Sequence, residues 1–236
     1  MFSIVSTPSN IHLFGVIHLL VLVTGLVTAY LIIRRNKTSK IFEILPTIIM
    51  LIAYICLYTW YYFSPESFLL KGLPLYTCRI AVYILAIGIF FNKKQCLKLG
   101  VYWGLFGGFF GLLLPTIFDY SFPHILQIST FYLHIYLFTT AVYYLFVKKI
   151  GMNKEDLRMC CKSTIIFLSL AHIVNIILNT NYVATFKMPG VLLKFGINFP
   201  SSLCFLIVVT GYLIAIVTQF YILKKIFKEV GQDVSD

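Results

Sequence analysis

The chain has 236 residues, of which 60% are hydrophobic and 11% charged, and its mean hydropathy of +0.91 exceeds what soluble domains carry. A net charge of +11 would indicate a nucleic-acid partner in a soluble protein, but here the basic residues lie between long apolar stretches. The composition therefore predicts an all-α integral membrane protein without a nucleic-acid partner, because only helices and closed barrels satisfy the backbone in lipid.

Seven apolar stretches reach the roughly 20 residues that a membrane helix needs. In chain order they cover residues 11–33, 44–63, 74–92, 97–115, 124–147, 163–180 and 201–223. No internal repeat or low-complexity linker separates them, so residues 1–236 are predicted to form a single seven-helix transmembrane domain. The connector 179–200 is long and apolar, which is typical of a re-entrant or interfacial segment.

The distribution of basic residues predicts the orientation of the helices. Most of the 19 lysines and arginines follow the first, third, fifth or seventh stretch, whereas the opposite connectors hold only Lys71, Lys187 and Lys194. Since positively charged connectors stay in the cytoplasm, the N-terminus is predicted to be outside and the C-terminus cytoplasmic.

The fourth stretch, "VYWGLFGGFFGLLLP", carries glycines in two pairs with four-residue spacing. These pairs are Gly104 with Gly108 and Gly107 with Gly111. Because such spacing lets membrane helices approach closely, it predicts tight packing and permits a homo-oligomer formed through this helix.

The third stretch begins "GLPLYTCRIAVYIL" and places Cys78 beside Arg79, about one helical turn after Pro74. Helix amides and a neighbouring cation favour the nucleophilic thiolate, whereas burial in lipid opposes its ionisation. Arg79 could bind a phosphate or an oxyanion, or its side chain could extend to the lipid headgroups.

Two further polar stripes lie at membrane depth, where ionisable groups are rare and need partners. They consist of Gln127, Thr130 and His134 on the fifth stretch and of His172, Asn175 and Asn179 on the sixth. The stripes could bond to each other between helices or line a cavity for a substrate, in which a histidine would accept the proton of Cys78.

Neither a metal site nor a cofactor site is predicted. His18, His134 and His172 lie on separate stretches, without a carboxylate or a recognised metal-binding spacing. The six cysteines are placed within helices or in connectors predicted to be cytoplasmic, so they do not form a disulfide framework.

Four segments together resemble the bacterial YwaF-like seven-helix membrane proteins, a family related to the vertebrate transmembrane protein 164. The segments are "GLPLYTCRIAVYIL" (72–85), "GLLLP" (111–115), "FPHILQISTFYLHIYLFTTAVYYLF" (122–146) and "NIILNTNYVATFKMPG" (175–190). The chain departs from the family pattern at Tyr76, where members often have histidine, and near "GINFPSS" (196–202).

The resemblance implies a function and a location. The vertebrate relative is an acyltransferase that moves a fatty acyl chain between phospholipids through a cysteine and a histidine, and Cys78 and His134 resemble that pair by motif position. It implies a bacterial cell membrane, with a phospholipid or lyso-lipid as the partner.

Two function classes remain open at this point. The first is a lipid acyltransferase or acyl hydrolase near the outer leaflet, in which Cys78 and His134 are catalytic and Arg79 and the polar stripes bind the substrate. The second is a solute- or lipid-binding or transport protein with a polar cavity between its helices. A structural subunit of another membrane protein is a third possibility.

Overall fold

The computed structural model describes residues 2–3, 8–64, 68–187 and 199–229, and these residues form helices and loops without a strand. The main helices are α1 (Val16–Arg35), α2 (Lys40–Phe63), α3 (Thr77–Phe90), α4 (Lys94–Leu113), α5 (Ile125–Val142), α6 (Lys154–Leu178) and α7 (Ser201–Glu229). Short π-helical turns cover Phe68–Gly72 and Tyr143–Val147, the second of which continues α5, and a 3₁₀ turn covers Tyr182–Ala184. Residues 188–198 of the predicted interfacial connector lie outside the described ranges.

Six of the helices are long and apolar enough to cross a membrane, namely all except α3. The exception has 14 residues and is apolar. It measures about 21 Å at 1.5 Å per residue, which is short of a hydrocarbon layer of about 30 Å. The predicted all-helical membrane bundle is thus confirmed with six candidate spans, while the seventh span and the orientation of the termini stay predictions.

Local sequence signals explain where several helices begin and end. Asn153 and Asp156 form a capping box at the start of α6, each side chain bonding the backbone of the other at 2.9 Å. Asn36 ends α1 in the left-handed conformation, with φ of 44°, which asparagine adopts more readily than most residues. The His124 side chain caps α5 by accepting a bond from the Leu126 N–H.

The chain divides into two compact units. The first comprises Met1–Phe68 and Cys78–Gly151, and the second comprises Leu69–Thr77 and Met152–Asp236. Within the first unit α5 is the central helix: it packs against α1, α2 and α4, and 72% of its apolar segment is buried. Within the second unit α6 packs against α7. The single-domain organisation stays a prediction.

The predicted close approach of α4 to a neighbouring helix is confirmed, and the neighbour is α5. A Cβ added at Gly104 would lie 3.2 Å from the Leu137 carbonyl oxygen, and one at Gly108 would lie 2.5 Å from the Phe138 nitrogen. Because the backbones come this close, α4 and α5 have fixed positions relative to each other. A homo-oligomer through α4 stays a prediction.

Candidate functional site

Cys78 is the second residue of α3, so its thiol lies in the first turn of that helix, as the sequence indicates. The half-buried side chain rests against α4. A Cβ added at Gly107 would be 2.7 Å from Cys78 Sγ, closer than real Cβ atoms come to their neighbours. The sulfur therefore occupies space that the absence of a side chain at Gly107 leaves open.

His134 is placed in the same way from another helix. A Cβ added at Gly111 would overlap the imidazole of His134, well under 3 Å from Cδ2, Nε2 and Cγ. The residue is 8% exposed, and its Nδ1 is buried without a hydrogen bond of ordinary geometry. The Thr130 carbonyl, one turn earlier on α5, lies near enough to interact with the ring.

The two side chains share one face of α4, because Gly107 and Gly111 are one helical turn apart. Side-chain positions with this spacing are about 5–6 Å apart, so Cys78 Sγ and His134 Nε2 are separated by at most about 11 Å. The thiol comes from α3 and the imidazole from α5, and the two lie along the same glycine-lined face. Their action as a catalytic pair stays a prediction.

Arg79 points to a different helix from its neighbour Cys78. Its guanidinium carbon lies 5.8 Å from the centre of the Tyr61 ring on α2, and its carbonyl accepts a 3.5 Å bond from the Tyr54 hydroxyl. Successive residues of a helix point about 100° apart, which explains the divergence. The cation therefore stacks on an aromatic ring of α2, and its role in binding a substrate stays a prediction.

A tyrosine cluster that the sequence pattern does not single out lies next to Arg79 and contacts it through Tyr54. Tyr54 packs against Tyr58 and Tyr83, with ring centres 5.6 and 5.5 Å away. The Tyr83 hydroxyl donates to the Tyr58 hydroxyl at 3.0 Å. The four-residue spacing of Tyr54 and Tyr58 is the one signal in the sequence, and it is equally typical of ordinary helix packing.

The other two residues of the predicted α5 stripe are placed differently. Gln127 Nε2 donates to the carbonyls of Tyr120 and Phe118, at 2.5 and 3.4 Å, and so holds the loop before α5. Its Oε1 is buried without a hydrogen-bond partner. Thr130 is half-buried, one turn before His134. The amide group of Gln127 thus has one acceptor to offer and no remaining donor.

The α6 stripe belongs to the second unit, where Asn175 organises the loop after α6. Its Nδ2 donates to the Tyr182 carbonyl and to Thr185 Oγ1, both at 2.8 Å. Its Oδ1 accepts from the Tyr182 N–H at 2.7 Å and from the Thr180 hydroxyl at 2.8 Å. All four hydrogen-bonding positions of this fully buried amide are therefore satisfied internally.

Asn179 and His172 complete that stripe. Asn179 ends α6 in the left-handed conformation, and its Oδ1 accepts a 3.0 Å bond from Lys187 Nζ. His172 is half-buried, with the rings of Phe205 and Phe186 at 4.8 and 6.4 Å, and its Nδ1 is buried without a hydrogen-bond partner. Substrate binding by these residues stays a prediction.

His18 has a structural role. Its Nδ1 accepts from the Phe14 N–H and its Nε2 donates to the Leu112 carbonyl, both at 2.8 Å, and the side chain is fully buried. This pattern requires the neutral tautomer protonated on Nε2. The ring thus joins the start of α1 to the end of α4.

Glu43, in the first turn of α2, forms a second polar cluster with the end of α5. Its carboxylate accepts bonds from the Tyr144 hydroxyl at 2.7 Å and the Tyr143 hydroxyl at 3.1 Å, and pairs with Lys148 at 2.8 Å. The hydrogen bond to Glu43 raises the pKa of Lys148. A single carboxylate in an apolar helix is the signal in the sequence for this cluster.

Comparison with known proteins shows which family the amino-acid sequence matches. The model of the TMEM164 family matches residues 5–218, which include Cys78, His134 and both glycines beside them. Neither a curated protein nor a solved structure matches the chain. The resemblance is thus confirmed at the level of this family, while the narrower YwaF-like assignment stays a prediction.

Proposed function

The chain belongs to the TMEM164 family, and from this premise we propose that it is a lipid acyltransferase or acyl hydrolase embedded in the membrane. Cys78 is the proposed nucleophile and His134 the proposed general base and acid. The observation that carries the proposal is the placement of both side chains against the same face of α4, at Gly107 and Gly111. The resemblance to the vertebrate phospholipid acyltransferase supports the same two roles.

The first half-reaction transfers an acyl group to the enzyme. The His134 imidazole takes the proton of the Cys78 thiol, and the thiolate attacks the ester carbonyl of a phospholipid. A C–S bond forms, the carbonyl electrons move to oxygen, and the oxyanion then collapses to break the bond to the glycerol oxygen. The imidazolium returns its proton to that oxygen, which leaves as a lyso-lipid hydroxyl.

The second half-reaction releases the acyl group from the thioester. His134 removes the proton from the hydroxyl of an acceptor, whose oxygen attacks the thioester carbonyl. The C–S bond breaks, and the proton held by the imidazole returns to Cys78. A lyso-lipid acceptor makes the enzyme a transferase, whereas water makes it a hydrolase.

The alternative, a solute-binding or transport protein, has less support from the polar stripes. The Asn175 amide is fully hydrogen-bonded within its own unit, and the Gln127 donors are bonded to loop carbonyls. A cavity for polar solutes needs donors and acceptors that remain available to the solute. Of the three amide side chains in the stripes, these two offer only the Gln127 Oε1 acceptor.

Acyl exchange by the purified full-length protein tests the proposal. The protein is incubated with a phospholipid carrying a deuterated acyl chain and with an unlabelled lyso-lipid, and mass spectrometry follows the label in both lipids and in released fatty acid. We expect Cys78→Ala to abolish transfer and His134→Ala to slow it by about 10²–10⁴-fold, the usual contribution of a general base. Cys56→Ala is the matched control, since this cysteine is also half-buried in the first unit.

The thioester supplies a second measurement. Brief incubation with the labelled phospholipid should add the mass of one acyl chain to the wild-type protein, and hydroxylamine should remove it. The adduct should map to Cys78. Acyl exchange at the wild-type rate in the Cys78→Ala variant would show that Cys78 is not the nucleophile. An acyl adduct on another cysteine would show the same.

A further inference from the structure

We propose that the first unit holds a second lipid site, which binds one anionic phospholipid through an acyl chain and a phosphate. The site is a cavity of about 580 Å³ where α1 ends and α2 begins. This volume is within the range of about 300–1,000 Å³ for small-molecule sites. The proposal does not depend on acyl transfer at Cys78.

The cavity has an apolar wall and a charged rim. Leu31 and Ile32 of α1 and Phe42 and Pro46 of α2 supply aliphatic and aromatic surface. Such a surface fits a hydrocarbon chain. The wall therefore indicates an occupant with an acyl chain.

The rim supplies the charge that selects the headgroup. Arg35 and Lys37 line the cavity, are exposed, and have neither an ion-pair nor a hydrogen-bond partner within the described ranges. Glu43, which also lines the cavity, is already paired with Lys148 at 2.8 Å. Two uncompensated cations beside an apolar wall complement a phosphate joined to an acyl chain.

The cavity is distinct from the site at Cys78. On α5 it is lined by Thr139, Thr140 and Tyr143, which lie one to three turns beyond His134 towards the end of the helix. It is also at the end of the unit where α1 and α2 are joined by basic residues. We therefore assign it to a lipid held at the basic end of the helices, rather than to the acyl group being transferred.

Binding to the purified full-length protein in a neutral detergent tests this site. Native mass spectrometry measures the affinity for dioleoyl phosphatidylglycerol and for dioleoyl phosphatidylcholine. Wild type should bind the anionic lipid more tightly. The double variant Arg35→Gln, Lys37→Gln should bind the anionic lipid about 30-fold more weakly. Each basic side chain near an anionic headgroup contributes roughly tenfold or less to the affinity, and the double variant removes two.

The matched control is Arg34→Gln, Lys40→Gln, which removes the same charge from exposed neighbours that do not line the cavity. It should keep the affinity within about threefold of wild type, because surface charge at this distance is partly screened. An equal loss in both double variants would show a general effect of charge and overturn the proposal. Equal wild-type affinity for the two lipids would overturn it as well.

Two further measurements test whether the phosphate belongs to a lipid and whether the acyl chain of that lipid lies in the cavity. Inorganic phosphate should leave the melting temperature of the wild-type protein unchanged, whereas the anionic lipid should raise it. Equal stabilisation by both would mean that the site binds a free anion, which would contradict the assignment to a lipid. Thr28→Phe, which enlarges a side chain lining the cavity, should weaken lipid binding. Unchanged lipid binding by this variant would contradict the placement of the acyl chain.

Discussion

Replacing Gly111 by alanine tests whether the bare face of α4 holds the imidazole in place. The added methyl group would overlap the ring of His134, and no real Cβ lies as close to its neighbours as this one would. Since the α4 backbone is held against α5 at Gly108, the ring is the group that must move. The ring must move by more than about 1 Å to restore an ordinary van der Waals contact with the added methyl group.

The magnitude of the effect follows from two opposing contributions to stability and one to the rate. Alanine in a helix stabilises by about 0.5–1 kcal/mol relative to glycine, whereas overpacking destabilises by about 1–3 kcal/mol. The unfolding free energy should therefore fall by about 0–2.5 kcal/mol. The rate should fall far more, because a misplacement of about 1 Å in a catalytic group reduces it by about 100-fold.

The assay is the acyl-exchange measurement, paired with thermal unfolding of the same samples. Gly211→Ala on α7 is the matched control, because a Cβ there meets nothing within 4 Å. It should keep the wild-type rate and gain about 0.5–1 kcal/mol in stability. Gly107→Ala should be intermediate in rate, since Cys78 Sγ, which would lie 2.7 Å from the new Cβ, must move by a smaller distance than the His134 ring to reach an ordinary contact of 3.4 Å.

A wild-type rate in Gly111→Ala, together with an inactive His134→Ala, would refute this reasoning. It would mean that the position of the imidazole on α4 does not matter for the reaction. Inactivity of Gly211→Ala equal to that of Gly111→Ala would refute it too, because the loss would then reflect any added methyl group.

Two predictions concern stability and are checked by thermal unfolding in detergent. Glu43→Gln should destabilise by about 2 kcal/mol, because charge-assisted bonds to Tyr144 and Lys148 each contribute more than a neutral one; an unchanged melting temperature would contradict a stabilising cluster. Asn175→Ala should destabilise the protein by about 3–5 kcal/mol, because the groups that form four buried hydrogen bonds with Asn175 lose their partner. Asn179→Gly is the comparison: glycine keeps the left-handed backbone, so the stability should change by less than about 0.5 kcal/mol. Equal losses of stability in Asn175→Ala and Asn179→Gly would contradict the reasoning that the buried Asn175 stabilises the protein more than Asn179 does.

Hydropathy predicts the presence of these helices better than it predicts where they begin and end. It predicts the sixth stretch from residue 163, but α6 begins at Lys154 because the Asn153–Asp156 capping box starts it in charged sequence. It predicts a third stretch over 74–92, but α3 covers only Thr77–Phe90. Apolar composition continues past the last hydrogen-bonded turn, so composition alone overestimates that helix.

The site can be predicted in part because polar groups at membrane depth are rare. That rarity draws attention to His18, Arg79, His134 and His172 in the amino-acid sequence, and the family resemblance then implies roles for Cys78 and His134. The spacing of the glycines predicts a close approach, but not that a sulfur and an imidazole occupy two of the gaps. The partners of Asn175 lie in its own following loop, and a helical stripe carries no information about a loop that folds back on it.

The Glu43 cluster also has a consequence for the order of biogenesis. The tyrosines and the lysine that neutralise this carboxylate follow it by about a hundred residues in the chain. At a synthesis rate of about 5–20 residues per second, the acid waits roughly 5–20 s before its partners leave the ribosome. During that interval none of the contacts that neutralise the Glu43 carboxylate in the folded protein can form, so this cluster is completed only after the fifth helix has been made.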